Sequence, residues 1–150
     1  EWVSSMQTQY GYIQLVLGGI GAVALLVAAI GITNTMMMSI YERTKEIGVL
    51  KVLGCALGDI RTMFLMEAGF IGFMGGVLGL GLSYSVSAAI NKFLGASLSG
   101  MTGGSGAISR IPLWLSGSAV VFAVLIGMLA GLFPALRAMK LSPLAAIRNE

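Results

Sequence analysis

Three apolar runs leave this chain little choice of environment: about Ile13 to Ile40, Thr62 to Ile90 and Leu113 to Leu136. At ~1.5 Å per helical residue, each can cross the ~30 Å hydrocarbon core of a bilayer. Only 10% of the 150 residues are charged and 57% are hydrophobic, whereas a soluble domain carries roughly a quarter charged residues. Mean hydropathy is +0.92. The expected fold is one all-α integral membrane unit over 1–150, with transmembrane helices at about 12–40, 62–91 and 112–137. No soluble second domain fits in what remains.

The basic excess, 9 Lys and Arg against 6 Asp and Glu, is topological. Arg43, Lys45, Lys51 and Arg61 lie between the first two runs, and Arg137, Lys140 and Arg148 follow the third. Only Lys92 and Arg110 fall in the other connection. The positive-inside rule then puts segment 41–54 and the tail 138–150 in the cytoplasm, and the N-terminus and the loop 92–111 outside. The basic residues mark a side of the bilayer, so nucleic acid is not an expected partner. Cys55, the one cysteine, falls on the cytoplasmic side, excludes an intrachain disulfide and reads as an inert small side chain. The first run is too long for a secretory h-region and lacks a basic n-region, so it should stay in the membrane. An exported N-terminus that begins at Glu1, with nothing ahead of it to export it, leads us to expect a further upstream segment.

Small residues recur inside the runs. The first carries Gly18, Gly19, Gly21, Ala22, Ala24, Ala28 and Gly31, and the second carries the G-x-x-x-G pairs Gly72/Gly76 and Gly75/Gly79. The third repeats one every fourth position: Ala123, Gly127, Gly131, Ala135. Small residues at this spacing let helix backbones approach closely in lipid. Gly72, Gly76, Ala123, Gly127 and Gly131 are the expected packing positions, with tight packing and not a pore lining as the outcome. Trp2, Tyr10, Tyr12 and Trp114 suit an outer interfacial belt. Pro112 suits the first turn of the last helix, Pro134 should bend its last turns, and Pro143 breaks the tail.

Segment 41–54, Tyr-Glu-Arg-Thr-Lys-Glu-Ile-Gly-Val-Leu-Lys-Val-Leu-Gly, holds five of the fifteen charged residues. Ile47, Leu50, Leu53 and Leu57 would share one helical face, but at ~100° per residue Arg43 and Glu46 fall in the same arc. The segregation is lengthwise instead, charges first and apolar residues next, with Gly54 as a left-handed stop. A short helix with one end in the cytosol and the other among headgroups fits this order. Asp59 suits an N-cap or first-turn acid of the second long helix. Gly95 to Ile111 is Gly/Ser-rich and reads as a flexible external loop. It lacks the Gly-Lys-Ser/Thr ending of a phosphate cradle.

Much chemistry is excluded. The chain has no histidine, which removes Ser-His and Cys-His catalysis, including any intramembrane-protease role for Ser97 or Ser99, and most zinc sites. One aspartate leaves no aspartyl pair. Neither a cofactor nor a metal is expected; the Met36-Met37-Met38 run reads as core filling and not as a copper site. The intramembrane polar residues are Asn34 and Glu67. An ionisable group at this depth normally needs a partner, so we expect Glu67 to bond Asn34 or a nearby threonine and set the register of the first two helices. The alternative is a carboxylate that snorkels to the interface.

Segment 41–54, then Asp59-Ile60-Arg61, Glu67-Ala68 with the glycines after it, and the ending Phe-Pro-Ala-Leu-Arg-Ala-Met-Lys-Leu-Ser-Pro-Leu-Ala-Ala-Ile-Arg at 133–148 together resemble the FtsX-like permease domain of MacB-type ABC transporters. Leu57-Gly58 departs from the polar or basic residues of many members. The resemblance implies a multi-pass permease of a bacterial cytoplasmic membrane with four helices per subunit, of which this chain is similar to the last three. The first helix and a large extracytoplasmic domain would precede Glu1. It further implies a homodimer, a fused or separate ABC ATPase that does the hydrolysis, and a periplasmic or extracellular adaptor. The short helix in 41–54 resembles the coupling helix that docks on the ATPase, which makes Glu42, Arg43, Lys45, Glu46 and Lys51 the expected ATPase-coupling residues. The implied activity is transmission of ATPase-driven motion across the membrane (mechanotransmission) for export of drugs, peptides or lipoproteins. Two alternatives stand beside it: a regulatory permease that controls an extracellular cell-wall hydrolase, and a small independent oligomeric membrane protein.

Overall fold

The structure, a computed structural model, describes residues 2–102 and 109–140, with side chains described for 6–93 and 109–140. Four helices make up nearly all of it: α1 (Trp2–Glu42), α2 (Thr44–Val52), α3 (Leu57–Thr102) and α4 (Leu113–Lys140). Among the described residues there is no strand. The helices α1, α3 and α4 are long and apolar enough to cross a membrane. With 41 and 46 residues, α1 and α3 reach ~60 and ~70 Å, about twice the hydrocarbon thickness, so both project well beyond it.

Two boundaries differ from the sequence expectation. The loop expected over 92–111 does not begin at 92, because α3 stays helical to Thr102. Extending an existing helix needs no new nucleus, and Gly95 and Gly100 cost only about 1 kcal/mol each, too little to stop it at 92. Likewise α4 runs on through 138–140 to Lys140. The rest of the expected tail, with Pro143 and Arg148, and the loop centre 103–108 lie outside the described residues. Pro112 stands just ahead of α4, where its carbonyl accepts the N–H groups of Leu115 and Ser116 at 3.1 and 3.3 Å.

The main contact in the fold is α3 against α4. A methyl group added at Gly72 would stand 2.5 Å from the Ala123 carbonyl oxygen, and one at Gly127 would stand 2.7 Å from that of Ala68. At Gly131 it would overlap the Ala68 side chain, and at Gly76 it would touch that of Ala123 at 3.0 Å. Each helix therefore lays a carbonyl over a glycine of the other, a separation at which dispersion and weak Cα–H···O contacts replace the hydrophobic drive that lipid does not supply. Gly75 and Gly79, one residue round the helix, have nothing within 4 Å.

Polar contacts fasten the far end of the same pair. Tyr84 Oη and Ser116 Oγ lie 2.8 Å apart, and Ser116 is buried. Ser87 Oγ donates to Ser109 Oγ at 2.9 Å. Asn91 grips the Ser109 backbone twice, its Nδ2 donating to the carbonyl at 2.8 Å and its Oδ1 accepting the N–H at 2.9 Å. That double bond gives the returning chain the partners a β-ladder would otherwise provide.

The helix α1 meets α4 more than α3. Pro134, buried within α4, has no N–H to give the carbonyl of Ala130 four residues back. Thr33 Oγ1 of α1 donates to that carbonyl at 3.0 Å and lies 2.9 Å from its own Ala29 carbonyl, so one hydroxyl proton is shared between the two. The four helices converge at this end on one buried cluster: Met36 and Ile40, Ile47, Ile60, Phe64 and Ala68, and Ala135 and Ala138. Met36 belongs to it, whereas Met37 is half-buried and Met38 exposed. Away from the cluster α1 diverges. Its side chains from Met6 to Ala28 are exposed, and Gly18, Gly19 and Gly21 meet nothing within 4 Å. An apolar wedge of ≈ 400 Å³ opens between Leu25, Ala28 and Ile32 on one side and Ile71, Gly75 and Ala123 on the other.

Two outcomes test this account. Gly72→Ala should destabilise the intact permease in detergent by about 1–3 kcal/mol through overpacking, while Gly75→Ala, placed in open space, leaves the melting temperature unchanged or slightly higher. Thr33→Val should cost about 0.6 kcal/mol, up to ~1.7, with Thr33→Ser close to wild type. The cost should shrink in a Pro134→Ala background, where the helix regains its own donor, and a double-mutant cycle reads that coupling.

Candidate functional site

The charged segment is helical for most of its length. Arg43 alone separates α1 from α2, its N–H bonding the Ser39 carbonyl at 3.1 Å while its own carbonyl accepts the Ile47 N–H at 3.0 Å. No side chain caps the start of α2; the Thr44 hydroxyl turns back to the Ile40 and Tyr41 carbonyls instead. At the other end the chain closes a Schellman motif. Cys55 N–H bonds the Leu50 carbonyl and Gly54 N–H the Lys51 carbonyl, both at 3.1 Å, with Gly54 at φ 89°. A Cβ there would be strained, so glycine fixes where α2 stops and the chain turns into α3. Asp59 sits in the first turn of α3, where a negative charge suits the positive end of the helix dipole.

The apolar residues of α2 are not segregated only lengthwise. Ile47 and Gly48 are buried, Leu50 and Lys51 half-buried, and Glu42, Arg43, Lys45 and Glu46 exposed. One side of the helix thus enters the four-helix cluster and the other carries the charges. Val49, Val52 and Leu53 extend the exposed side, Leu53 with 76% of its surface accessible. Charged groups around an apolar centre have the make-up of a protein-contact patch.

Lys51 departs from its expected company. Its Nζ donates to the carbonyls of Met139 at 2.8 Å and Ala138 at 3.2 Å, at the C-terminal end of α4. Those carbonyls lie in the last described turn of α4, and residue 143, four beyond Met139, is a proline with no N–H to offer. The negative end of the helix dipole adds about 0.3–1 kcal/mol for a cation held here. Desolvation by burial lowers the Lys51 pKa from the ordinary 10.5; the two carbonyls replace the water it gives up. Sequence reasoning found Lys51 by its charge but not this bond, since nothing local signals a contact across 87 residues.

The register lock expected of Glu67 is not formed. Glu67 is half-buried on α3 and Asn34 exposed on α1, and among the described residues neither side chain has a hydrogen-bond or ion-pair partner. The cause is that α1 leans on α4 and hardly on α3, so the tie falls to Thr33, one residue earlier. No group of three or more His, Cys, Asp or Glu residues able to hold a metal occurs among the described residues.

Comparison with known proteins agrees with this architecture. Residues 18–143 match the family model for the FtsX-like permease C-terminal region. An uncharacterised ABC transporter permease of Methanocaldococcus jannaschii is 39% identical over 154 aligned positions, covering 100% of this chain and 36% of that protein. The ABC transporter permease YtrF of Bacillus subtilis is 39% identical over 87% of this chain and 31% of its own length. The macrolide export ATP-binding/permease protein MacB of Neisseria gonorrhoeae is 34% identical over 97% of this chain and 21% of its own. The chain therefore spans about a third or less of the curated relatives it matches. Three apolar helices long enough to cross a bilayer, with the family match over most of the chain, make it a multi-pass membrane protein that belongs to the FtsX-like permease family of ABC transporter permeases.

Proposed function

We propose that this chain is the force-transmitting membrane part of a MacB-type ABC exporter. Its α2 is the coupling helix that takes the displacement of an ABC ATPase, fused or separate. The observation that carries the reading is the two-sided setting of α2: Ile47 is sunk in the one cluster shared by all four helices, while Glu42, Arg43, Lys45 and Glu46 point outward. A push on the exposed side reaches every membrane helix through that cluster, because packed side chains transmit displacement and do not absorb it. The glycine contacts hold the α3 and α4 backbones against each other, which favours transmission of motion over a pore between them. The long projection of α1 and α3 beyond hydrocarbon thickness supports delivery to an external domain or adaptor, and the uncovered face of α1 supports assembly with a second copy of the permease. The exported class is drugs, peptides or lipoproteins, and the end of the bundle that carries α2 is cytoplasmic.

Cys55, free and exposed beside α2, reports the sidedness directly. A membrane-impermeant maleimide should label it in inverted vesicles and not in intact cells, with Cys55→Ser as the control; labelling from outside overturns the orientation. For docking, Glu46→Cys in a Cys55→Ser background should form a cross-link to the ATPase. Reversing Glu42 and Glu46 to lysine should weaken ATPase association about tenfold, or 1.4 kcal/mol. Unchanged association and no cross-link would remove α2 from the interface.

A further inference from the structure

The helix α2 is joined through the chain to α1 and to α3, but it reaches α4 only through space. Ile47 meets it in the shared apolar cluster, and among the described residues the polar link between the two helices is one long side chain: the Lys51 ammonium on the Met139 and Ala138 carbonyls at 2.8 and 3.2 Å. At the acceptor end, Pro143 has no N–H to give the Met139 carbonyl, which leaves that acceptor to another donor. Away from that end, α4 is the helix with the broadest contacts. It holds α3 through the glycine face and α1 through the Thr33 bond to Ala130.

We propose that Lys51 is a positioning residue that ties the coupling helix to the C-terminal end of α4, so that displacement of α2 drives the α3–α4 pair as one body. This assigns Lys51 an internal role distinct from that of its exposed neighbours: Glu42, Arg43, Lys45 and Glu46 receive the partner, and Lys51 passes the movement on. A methionine in its place fills much the same space but donates to neither carbonyl. An arginine keeps both the charge and the donors. The inference rests on the reading of α2 as the ATPase-coupling helix.

The test uses the intact permease with its ATPase in lipid nanodiscs, in a Cys55→Ser background. Spin labels at Tyr12→Cys and Leu113→Cys, both exposed positions far along the chain from the Lys51 contact, read the opening between α1 and α4 with and without ATP. The Glu46→Cys cross-link to the ATPase is followed in parallel. Wild type and Lys51→Arg should show an ATP-driven change in label separation. Lys51→Met should keep the cross-link and ATP hydrolysis while the ATP-driven shift in populations falls about tenfold, an ordinary size for coupling between two sites. A Lys51→Met protein that retains the full change overturns the role of Lys51 and leaves the docking reading standing. Absence of the cross-link in wild type defeats the docking reading itself. Labels at Val49→Cys and Arg137→Cys give a check that needs no change at Lys51: their separation should stay constant when ATP binds, and a change in wild type overturns the tie.

Discussion

A backbone carbonyl that loses its helical donor needs another, most of all inside hydrocarbon where no water can supply it, and α4 has two such carbonyls. Pro134 strips the donor from Ala130, and Pro143, four residues beyond Met139, has no N–H to give that carbonyl. In each case another part of the chain supplies the missing hydrogen: Thr33 from α1 and Lys51 from α2. These bonds tie α1 and α2 to α4 beside the glycine packing that joins it to α3, and α4 becomes the member through which the others are related.

What these bonds join is uneven in stiffness. The α3–α4 pair is fastened along its length, by glycines laid under carbonyls at one level and by Tyr84, Ser87 and Asn91 against Ser116 and Ser109 at the other. Along the described side chains of α1, the hold lies in the stretch from Ile32 to Ile40. The side chains from Met6 to Ala28 are exposed, and the wedge beside Gly75 leaves this part room to close on its neighbours. A stiff pair beside an arm gripped near one end is a suitable geometry for turning a push at α2 into relative movement elsewhere, because interfaces with few contacts shift before packed ones deform.

Sequence reading reached the helical class, the three spans and the charged connection because each rests on a property summed over many residues. Hydropathy over twenty positions is hard to mistake, and Gly54 declares its turn because few other residues tolerate its φ. Single side chains were read less well. Glu67 stands out in the sequence as an expensive group, yet it has no partner among the described residues, while Thr33 beside Asn34 carries the tie. The clue was present in Pro134, which announces an orphaned carbonyl at Ala130, but not the identity of the donor. The loop bounds failed for a related reason: glycine and serine lower helix propensity, and a helix already under way overrides that preference.

By itself the sequence determined the medium in which this chain lives, the number of times it can cross it, and where its charges interrupt the crossings. Those follow from transfer free energies that each residue carries wherever it sits. Only the tertiary structure decided which of two overlapping glycine pairs, Gly72/Gly76 or Gly75/Gly79, meets a neighbour, and that Lys51 turns inward while Glu46 turns out. The choice between such equivalents depends on how α1 and α3 lean on α4, a rotation of whole helices that no local window of residues encodes.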